Sequence, residues 1–370
     1  MTTIKPGRIL GWVVAVGVTL TMAACSSPSG SSSASASGTG ATISSDSSSG
    51  AATDLPSAPT PTIVPSTTLD GITVTGNFGD APTVTVPSPW AIDSTKTEVL
   101  APGSGGQTVN SDSTVLVNYY GVDGRTGQVF DQSWSRGAPA SIDLTQVVPG
   151  FQKGLTGQQV NSRVLIAMPG ADGYDSAGGQ PNAGINIGDT LVFVVDILRS
   201  SFDQPTGTPV TVTDSTLPTV STPCPPQTQT PSATPNPDCV NNNDINNPVL
   251  TFPATANPPT SLVVQPLITG PGPNVAATDT VTINYAEYMW DNNQYVRQTY
   301  GFGAPLKGTL SSTIQGWQQA LVNQPMGSRL LVVVPPSLAY PQGNTKIGVP
   351  ANTTMVYIID ILYADPTPSS

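Results

Sequence analysis

Aromatic residues recur along this chain at a fixed interval, and their chemistry is that of an apolar pocket edged by hydroxyl groups. Three of them are repeated 166 residues later in the same order: Tyr119, Phe151 and Tyr174, then Tyr285, Trp317 and Tyr340. Aromatic rings bury apolar ligands, and a tyrosine hydroxyl can also donate a hydrogen bond. Aromatic residues are equally common in protein cores, so the types alone leave a core role and a pocket role open.

The composition excludes several kinds of chemistry. The chain has no histidine among its 370 residues, which excludes Ser–His and Cys–His catalysis and the commonest metal ligand. With 12 Lys and Arg and a net charge of −11, it has no basic face for phosphates, so nucleic acid is not an expected partner. We expect no metal and no cofactor. The stretch 241–244 (Asn-Asn-Asn-Asp) is only superficially like a calcium loop, because it lacks the glycine and the terminal glutamate.

The elements around the aromatic residues are repeated as well, which predicts a duplicated domain. Alternation places Val115, Val117 and Tyr119 on one face of a strand. The last strand of each repeat shows the same alternation, with these residues on one face: Leu191, Phe193, Val195 and Ile197, then Met355, Tyr357, Ile359 and Ile361. Only 149–157 and 315–322 are typical of helix. The pattern predicts an α+β fold: two tandem domains, each a curled antiparallel sheet wrapped on one short helix.

The first 25 residues are typical of a secretory leader. Lys5 and Arg8 precede an apolar run that is too short to span a bilayer. Residues 22–25 (Met-Ala-Ala-Cys) resemble a bacterial lipobox, which implies lipidation of Cys25 and attachment to the extracytoplasmic side of the cell membrane. The alternative is an ordinary signal peptide with an incidental cysteine.

The remaining segments follow from composition. Residues 26–69 are rich in Ser, Ala and Gly and are expected to form a disordered tether. Domain 1 is predicted at 70–200 and domain 2 at 246–364, with a Pro/Thr-rich linker at 201–245 and a tail at 365–370. In an exported chain Cys224 and Cys239 favour a disulfide within that linker. A redox pair is the alternative, although the spacing is not CxxC.

Taken together, the order and spacing of these motifs resemble FKBP-type peptidyl-prolyl cis–trans isomerases, over about 90 residues in each repeat. The motifs of the first repeat that carry the resemblance are Val117-Asn118-Tyr119-Tyr120-Gly121, Val129-Phe130-Asp131, Arg136, Val147-Val148-Pro149-Gly150-Phe151, Gly173-Tyr174 and Ile185. The resemblance implies a five- or six-stranded antiparallel sheet curled around a short helix, with an apolar pocket between the two.

The resemblance also implies which residues of domain 1 form the site. Its catalytic residues would be Tyr119, Phe130, Asp131 and Tyr174, and its substrate-binding residues would be Arg136, Val147, Val148, Phe151, Ile185 and Phe193. In this scheme Tyr174 and the Val148 N–H donate to substrate carbonyls, while Tyr119 and Arg136 orient Asp131. Phe151 replaces a usual Trp, Ala140 replaces a common aromatic wall residue, and 172–175 departs from Tyr-Ala-Tyr-Gly. The Asp131–Arg136 pair could instead be an ordinary surface ion pair.

Domain 2 departs further from the family pattern. Its expected pocket residues are Tyr285, Tyr295, Ile314, Trp317, Tyr340, Val349 and Tyr357. Aligning the repeats places Val296 where domain 1 has Asp131, and Phe302 where it has Arg136. On this alignment the polar edge of the pocket is lost, and domain 2 is expected to be weak or inactive as an isomerase.

Three functions remain open on the sequence. The leading one is an extracytoplasmic, membrane-anchored peptidyl-prolyl isomerase that assists folding of proline-containing exported proteins, mainly through domain 1. The alternative is a non-catalytic peptide-binding or chaperone scaffold built from the same domains. The third is a purely structural envelope lipoprotein.

Overall fold

The structure is a computed structural model that describes residues 63–221 and 248–366, except 105, 255 and 301–303. The predicted leader, tether and Cys25, the Cys224–Cys239 pair, Phe302 and most of the tail lie outside the described residues. Within the described residues, no helix is both long and apolar enough to cross a membrane.

Domain 1 contains eight strands and one α-helix. Their bounds are β1 (Thr73–Thr75), β2 (Thr83–Thr85), β3 (Lys96–Ala101), β4 (Thr114–Asp123), β5 (Val129–Gln132), β6 (Ala140–Asp143), α1 (Pro149–Leu155), β7 (Arg163–Met168) and β8 (Leu191–Ser200). The main sheet is antiparallel in the order β3-β7-β8-β4-β5, with β6 also paired to β4. Proline at the first position of α1 suits a helix start, because that position needs no N–H donor.

Domain 2 repeats this arrangement. Its elements are β9 (Thr208–Pro209), β10 (Thr219–Ser221), β11 (Val249–Thr251), β12 (Val263–Thr269), β13 (Thr280–Met289), β14 (Tyr295–Gln298), β15 (Leu306–Thr309), α2 (Gln315–Leu321), β16 (Arg329–Val334) and β17 (Met355–Asp365). The main sheet runs β9-β12-β16-β17-β13-β14, with β15 paired to β13. The predicted fold class is confirmed, and each helix ends one or two residues earlier than predicted.

One face of each sheet packs on its helix. In domain 1 the alternating residues of β8 and the ring of Phe151 on α1 belong to one buried cluster, and in domain 2 the same faces of β17 and α2 form its counterpart. The helices are only 7 residues long. Burial against the sheet, rather than intrinsic propensity, therefore stabilises them.

The opposite face of each sheet is covered by a short hairpin. Strands β1 and β2 pair with each other, and Val86, Trp90 and Ile92 pack with them on the outer residues of β7 and β8. In domain 2, β10 pairs with β11, and Leu217 and Trp290 lie in the equivalent cluster. Because both faces are covered, β7 and β16 are buried along their whole length.

The structure differs from the predicted domain boundary. Phe202 belongs to the core cluster of domain 2, and its N–H donates to the Leu362 carbonyl at 2.9 Å. Strand β9 then pairs with β12, and β10 forms half of the covering hairpin. Residues 202–221, expected to be linker, are therefore part of domain 2, because their few apolar side chains complete its core.

Candidate functional site

The site of domain 1 is built around Phe193, which points from β8 toward α1. Three rings meet it edge-on: Phe130 from β5 at 5.4 Å between centroids, Phe151 from α1 at 5.2 Å, and Tyr119 from β4 at 6.4 Å. Phe151 and Phe193 are each only 5% exposed, while Phe130 and Tyr119 are half-buried. The four rings form an apolar floor with one open side.

A polar group edges this floor. The Tyr119 hydroxyl donates to an Asp131 carboxylate oxygen. Arg136 donates to the other Asp131 oxygen at 2.5 Å and to the Tyr119 hydroxyl at 2.6 Å. Burial, followed by the bond to Asp131, raises the pKa of Tyr119 to about 12. The side chains of Asp131 and Arg136 are 43% and 41% exposed, so the pair adds under about 1 kcal/mol of stability. Its evident effect is to fix the direction of the carboxylate.

The remaining predicted residues of domain 1 lie around the same floor. Ile185 is buried in the cluster, and Val147, Val148 and Tyr174 pack against it half-buried. Burial, with a smaller contribution from the negative charge of Asp131, raises the pKa of Tyr174. The Tyr174 hydroxyl makes no hydrogen bond to another described residue and so is available to a ligand. The structure thus brings together all ten residues predicted for domain 1.

Gly121 makes this packing possible. It lies on β4 beside Asp131 in the strand register, and a Cβ there would approach Phe130 Cζ to 2.6 Å and Phe193 Cε1 to 3.0 Å. Only a glycine allows the two rings to meet above the strand. The sequence analysis named Gly121 within a family motif but assigned it no role in the site.

Domain 2 has a corresponding cavity of about 320 Å³ between sheet and helix. Four of the seven predicted residues line it: Tyr285, Ile314, Trp317 and Tyr340. Val349 and Tyr357 lie in the core against which these residues pack. Leu306 and Lys307 on β15 complete one wall. Neither was predicted, although Leu306 stands 166 residues after Ala140, at the wall position noted in domain 1.

The alignment of the repeats at β14 was wrong by one residue. In domain 1 Gly121 pairs with Asp131, and in domain 2 Glu287 pairs with Arg297. Arg297, not Val296, therefore stands where domain 1 has Asp131. Val296 turns toward the core. Tyr295 lies on the opposite face, 46% exposed and edge-on to Tyr288 with 5.8 Å between the ring centroids, so it lies outside the cavity.

The expectation that domain 2 lost its polar edge is also wrong, because a different polar cluster replaces it. Glu287 is fully buried and accepts hydrogen bonds from Arg297 Nε at 2.6 Å, from the Tyr357 hydroxyl at 2.7 Å and from the Tyr340 hydroxyl at 3.3 Å. Burial and the adjacent carboxylate raise the pKa of Tyr357 well above its usual value. Glu287 occupies the place of Gly121, and the smaller Val296 in place of Phe130 leaves room for it.

Neither site shows the grouping that a metal would need. No cluster of three or more His, Cys, Asp or Glu side chains suited to a metal ion occurs in the part of the chain that the structure describes. The chemistry available at both sites is apolar packing, hydrogen bonding and fixed charge.

Fold and site together define a pair of small curled-sheet domains, each with a cluster of aromatic side chains between sheet and helix. The family model for FKBP-type peptidyl-prolyl cis-trans isomerase matches residues 105–198 and 272–362, which together make up half of the chain. The chain belongs to this family.

Individual relatives agree. A stretch of 111 residues is 33% identical to the FKBP-type peptidyl-prolyl cis-trans isomerase FkpA of Escherichia coli (strain K12), covering 30% of this chain and 40% of FkpA. The FK506-binding protein of Streptomyces anulatus is 38% identical over 95 residues, which are 25% of this chain and 76% of that protein. A probable FK506-binding protein of Corynebacterium glutamicum is 37% identical over 87 residues, 23% of this chain and 70% of that protein. The chain thus spans less than half the length of FkpA.

Proposed function

We propose that this protein is a peptidyl-prolyl cis–trans isomerase whose main active site is the pocket of domain 1. The observation that carries the proposal is the aromatic floor around Phe193, edged by the Tyr119–Asp131–Arg136 cluster and by the Tyr174 hydroxyl, which bonds to no described residue. Family membership and the relatives named as isomerases support it.

The geometry suits the reaction because twisting an X–Pro bond needs no nucleophile. Cis and trans forms lie within about 1 kcal/mol of each other across a barrier of about 18–20 kcal/mol. At the top of the barrier the amide is twisted, has lost its resonance and is less polar than in the ground state. An apolar pocket therefore binds it more tightly than the planar amide, which is the condition for catalysis. Lowering the barrier by about 4 kcal/mol would accelerate the reaction roughly a thousandfold.

Individual residues would divide this work. Phe151 and Phe193 hold the proline ring, Tyr174 donates to a substrate carbonyl, and the Val148 N–H holds a second carbonyl. Asp131, held in place by Tyr119 and Arg136, lies beside the carbonyl that rotates. Val148 lies directly before α1, and its N–H donates to no described residue.

The proposal extends to location and clients. Lipidation of Cys25 would attach the protein to the extracytoplasmic side of the cell membrane, where it would act on proline-containing exported proteins as they fold. The lipobox-like residues 22–25 support this location. Labelling with a radioactive fatty acid, lost in Cys25→Ser, tests it directly.

The decisive experiment is refolding of a substrate protein whose rate is limited by a prolyl bond, with the full chain as catalyst. The double variant Asp131→Ala, Tyr174→Phe should lose most of the acceleration while its unfolding midpoint changes little. A folded wild-type protein that gives no acceleration would refute the isomerase proposal. That result would favour a non-catalytic peptide-binding scaffold. The polar cluster of domain 2, which differs from that of domain 1, is the observation that supports this alternative.

A further inference from the structure

The cavity of domain 2 differs from that of domain 1 in the groups it offers to a ligand. In domain 1 the polar edge presents the half-exposed carboxylate of Asp131, which is an acceptor. In domain 2 the carboxylate of Glu287 is fully buried, and its oxygens already accept from Arg297, Tyr340 and Tyr357. It has little remaining capacity to accept from a ligand.

Donors, by contrast, are available. Arg297 is 45% exposed and lines the cavity. Its Nε is bonded to Glu287 and its Nη2 lies 3.4 Å from the Tyr340 hydroxyl, whereas its Nη1 bonds to no described residue. Lys307 also lines the cavity; it is exposed and forms no ion pair with any described side chain. Both cations thus line the cavity and are open to solvent.

The floor of the cavity is apolar. Trp317 is 5% exposed, and its indole Nε1 is buried and has no hydrogen-bond partner among the described residues. Because that nitrogen has almost no accessible surface, Trp317 offers a ligand its apolar ring and no donor. An apolar floor with two cations in the lining suits a ligand that combines an apolar ring with an anionic group.

The charges of the two domains differ in the same sense. Residues 63–201 contain 6 Lys and Arg against 12 Asp and Glu, a net charge of −6, whereas residues 202–221 and 248–366 contain 4 against 7, a net charge of −3. An anionic segment is thus repelled less by the second domain than by the first.

We propose that the cavity of domain 2 binds segments in which an acidic residue immediately precedes proline. The proline ring would occupy the apolar space above Trp317, and the carboxylate would lie between Arg297 and Lys307. The inference rests on the proposed function only in taking a proline-containing chain as the ligand. It gives domain 2 a ligand class of its own.

The test uses the full chain with Asp131→Ala and Tyr174→Phe, which weaken domain 1, and the binding that is lost on adding Trp317→Ala is assigned to domain 2. Three end-blocked peptides, Ala-Glu-Pro-Phe, Ala-Gln-Pro-Phe and Ala-Lys-Pro-Phe, are titrated by calorimetry. We expect the glutamate peptide to bind about two- to fivefold more tightly than the glutamine peptide, as for an exposed ion pair, and the lysine peptide to bind most weakly. The preference should shrink in high salt.

Variants then locate the preference. Lys307→Gln should remove much of it, and Lys307→Glu should reverse it toward the lysine peptide. Lys346→Gln removes an exposed lysine of domain 2 outside the cavity and is the matched control. Trp317→Phe should weaken all three peptides by a similar factor. Equal affinity for the three peptides, absence of binding, or a preference that survives Lys307→Gln and Lys307→Glu would each overturn the proposal. These outcomes are distinct from failure of the isomerase proposal, which is read from refolding catalysed by intact domain 1.

Discussion

Replacing Gly121 by alanine should damage the domain 1 site far more than the fold. The added Cβ would lie 2.6 Å from Phe130 Cζ and 3.0 Å from Phe193 Cε1, both too close. Phe193 is 5% exposed and held against Phe151, so the half-buried Phe130 has to move. Its edge-on contact with Phe193 is then lost, which costs about 0.5–1.5 kcal/mol. If this contact shapes the pocket for the twisted amide, kcat/KM should fall about two- to tenfold.

Stability should change less, because two effects oppose each other. Loss of the ring contact destabilises the domain, while alanine restricts the unfolded chain and contributes about 0.4–1 kcal/mol in the other direction. The free energy of unfolding, measured in urea, should therefore shift by less than about 1 kcal/mol. Gly308→Ala in domain 2 is the control for adding a Cβ without a clash, since the nearest atom to the added Cβ is Ser312 Oγ at 3.8 Å. It should leave kcat/KM in the refolding assay unchanged. A folded Gly121→Ala protein with unchanged kcat/KM in the refolding assay would refute this account of the pocket.

Three further outcomes are expected. Asp196→Ala should lower the free energy of unfolding by about 3–5 kcal/mol, because it leaves the Arg163 guanidinium, 2% exposed, without its carboxylate. Urea unfolding measures this loss. The double variant Arg163→Leu, Asp196→Leu is the control and should recover much of the lost stability. Burial raises the pKa of Tyr119 to about 12, so the folded state favours the protonated hydroxyl. The stability that this hydroxyl gives to the folded state is complete below pH 10 and should be lost as the pH rises toward 12. The free energy of unfolding, measured over a pH series, should therefore fall less in Tyr119→Phe than in the wild-type protein. Tyr295→Ala should leave peptide binding to domain 2 unchanged in calorimetry, whereas Trp317→Ala should abolish it, and equal effects would contradict the placement of Tyr295 outside the cavity.

The fold was predictable because the pattern that determines it is local. Alternating apolar residues in the last strand of each repeat, with a short helix-forming stretch after a proline, require a sheet packed on a helix. The site of domain 1 followed because Tyr119, Phe151 and Tyr174 each keep the spacing of a known pocket. Strand residues fall on faces that alternate with every position, so these spacings define which side chains meet.

The same alternation explains what could not be predicted in domain 2. A shift of one residue in aligning β14 moves every side chain to the opposite face. The alignment therefore put Tyr295 in the pocket and Val296 at the position of Asp131, which belongs to Arg297. The 166-residue offset, if kept through this strand, would have placed Arg297 at the position of Asp131. Glu287 carried no such signal, because a carboxylate in place of glycine makes sense only when its buried partners are known.

The covering hairpins have a consequence for how the chain was built. Strands β2 and β11 are separated by the same 166-residue offset as the aromatic residues, so the unit that was copied already included a hairpin ahead of its sheet. The connection between hairpin strands runs over 76–82 in the first copy and over 222–248 in the second. Cys224 and Cys239 thus belong to an insertion within a single repeat unit. A bridge between them would therefore link two points of one repeat unit and would not link the two copies.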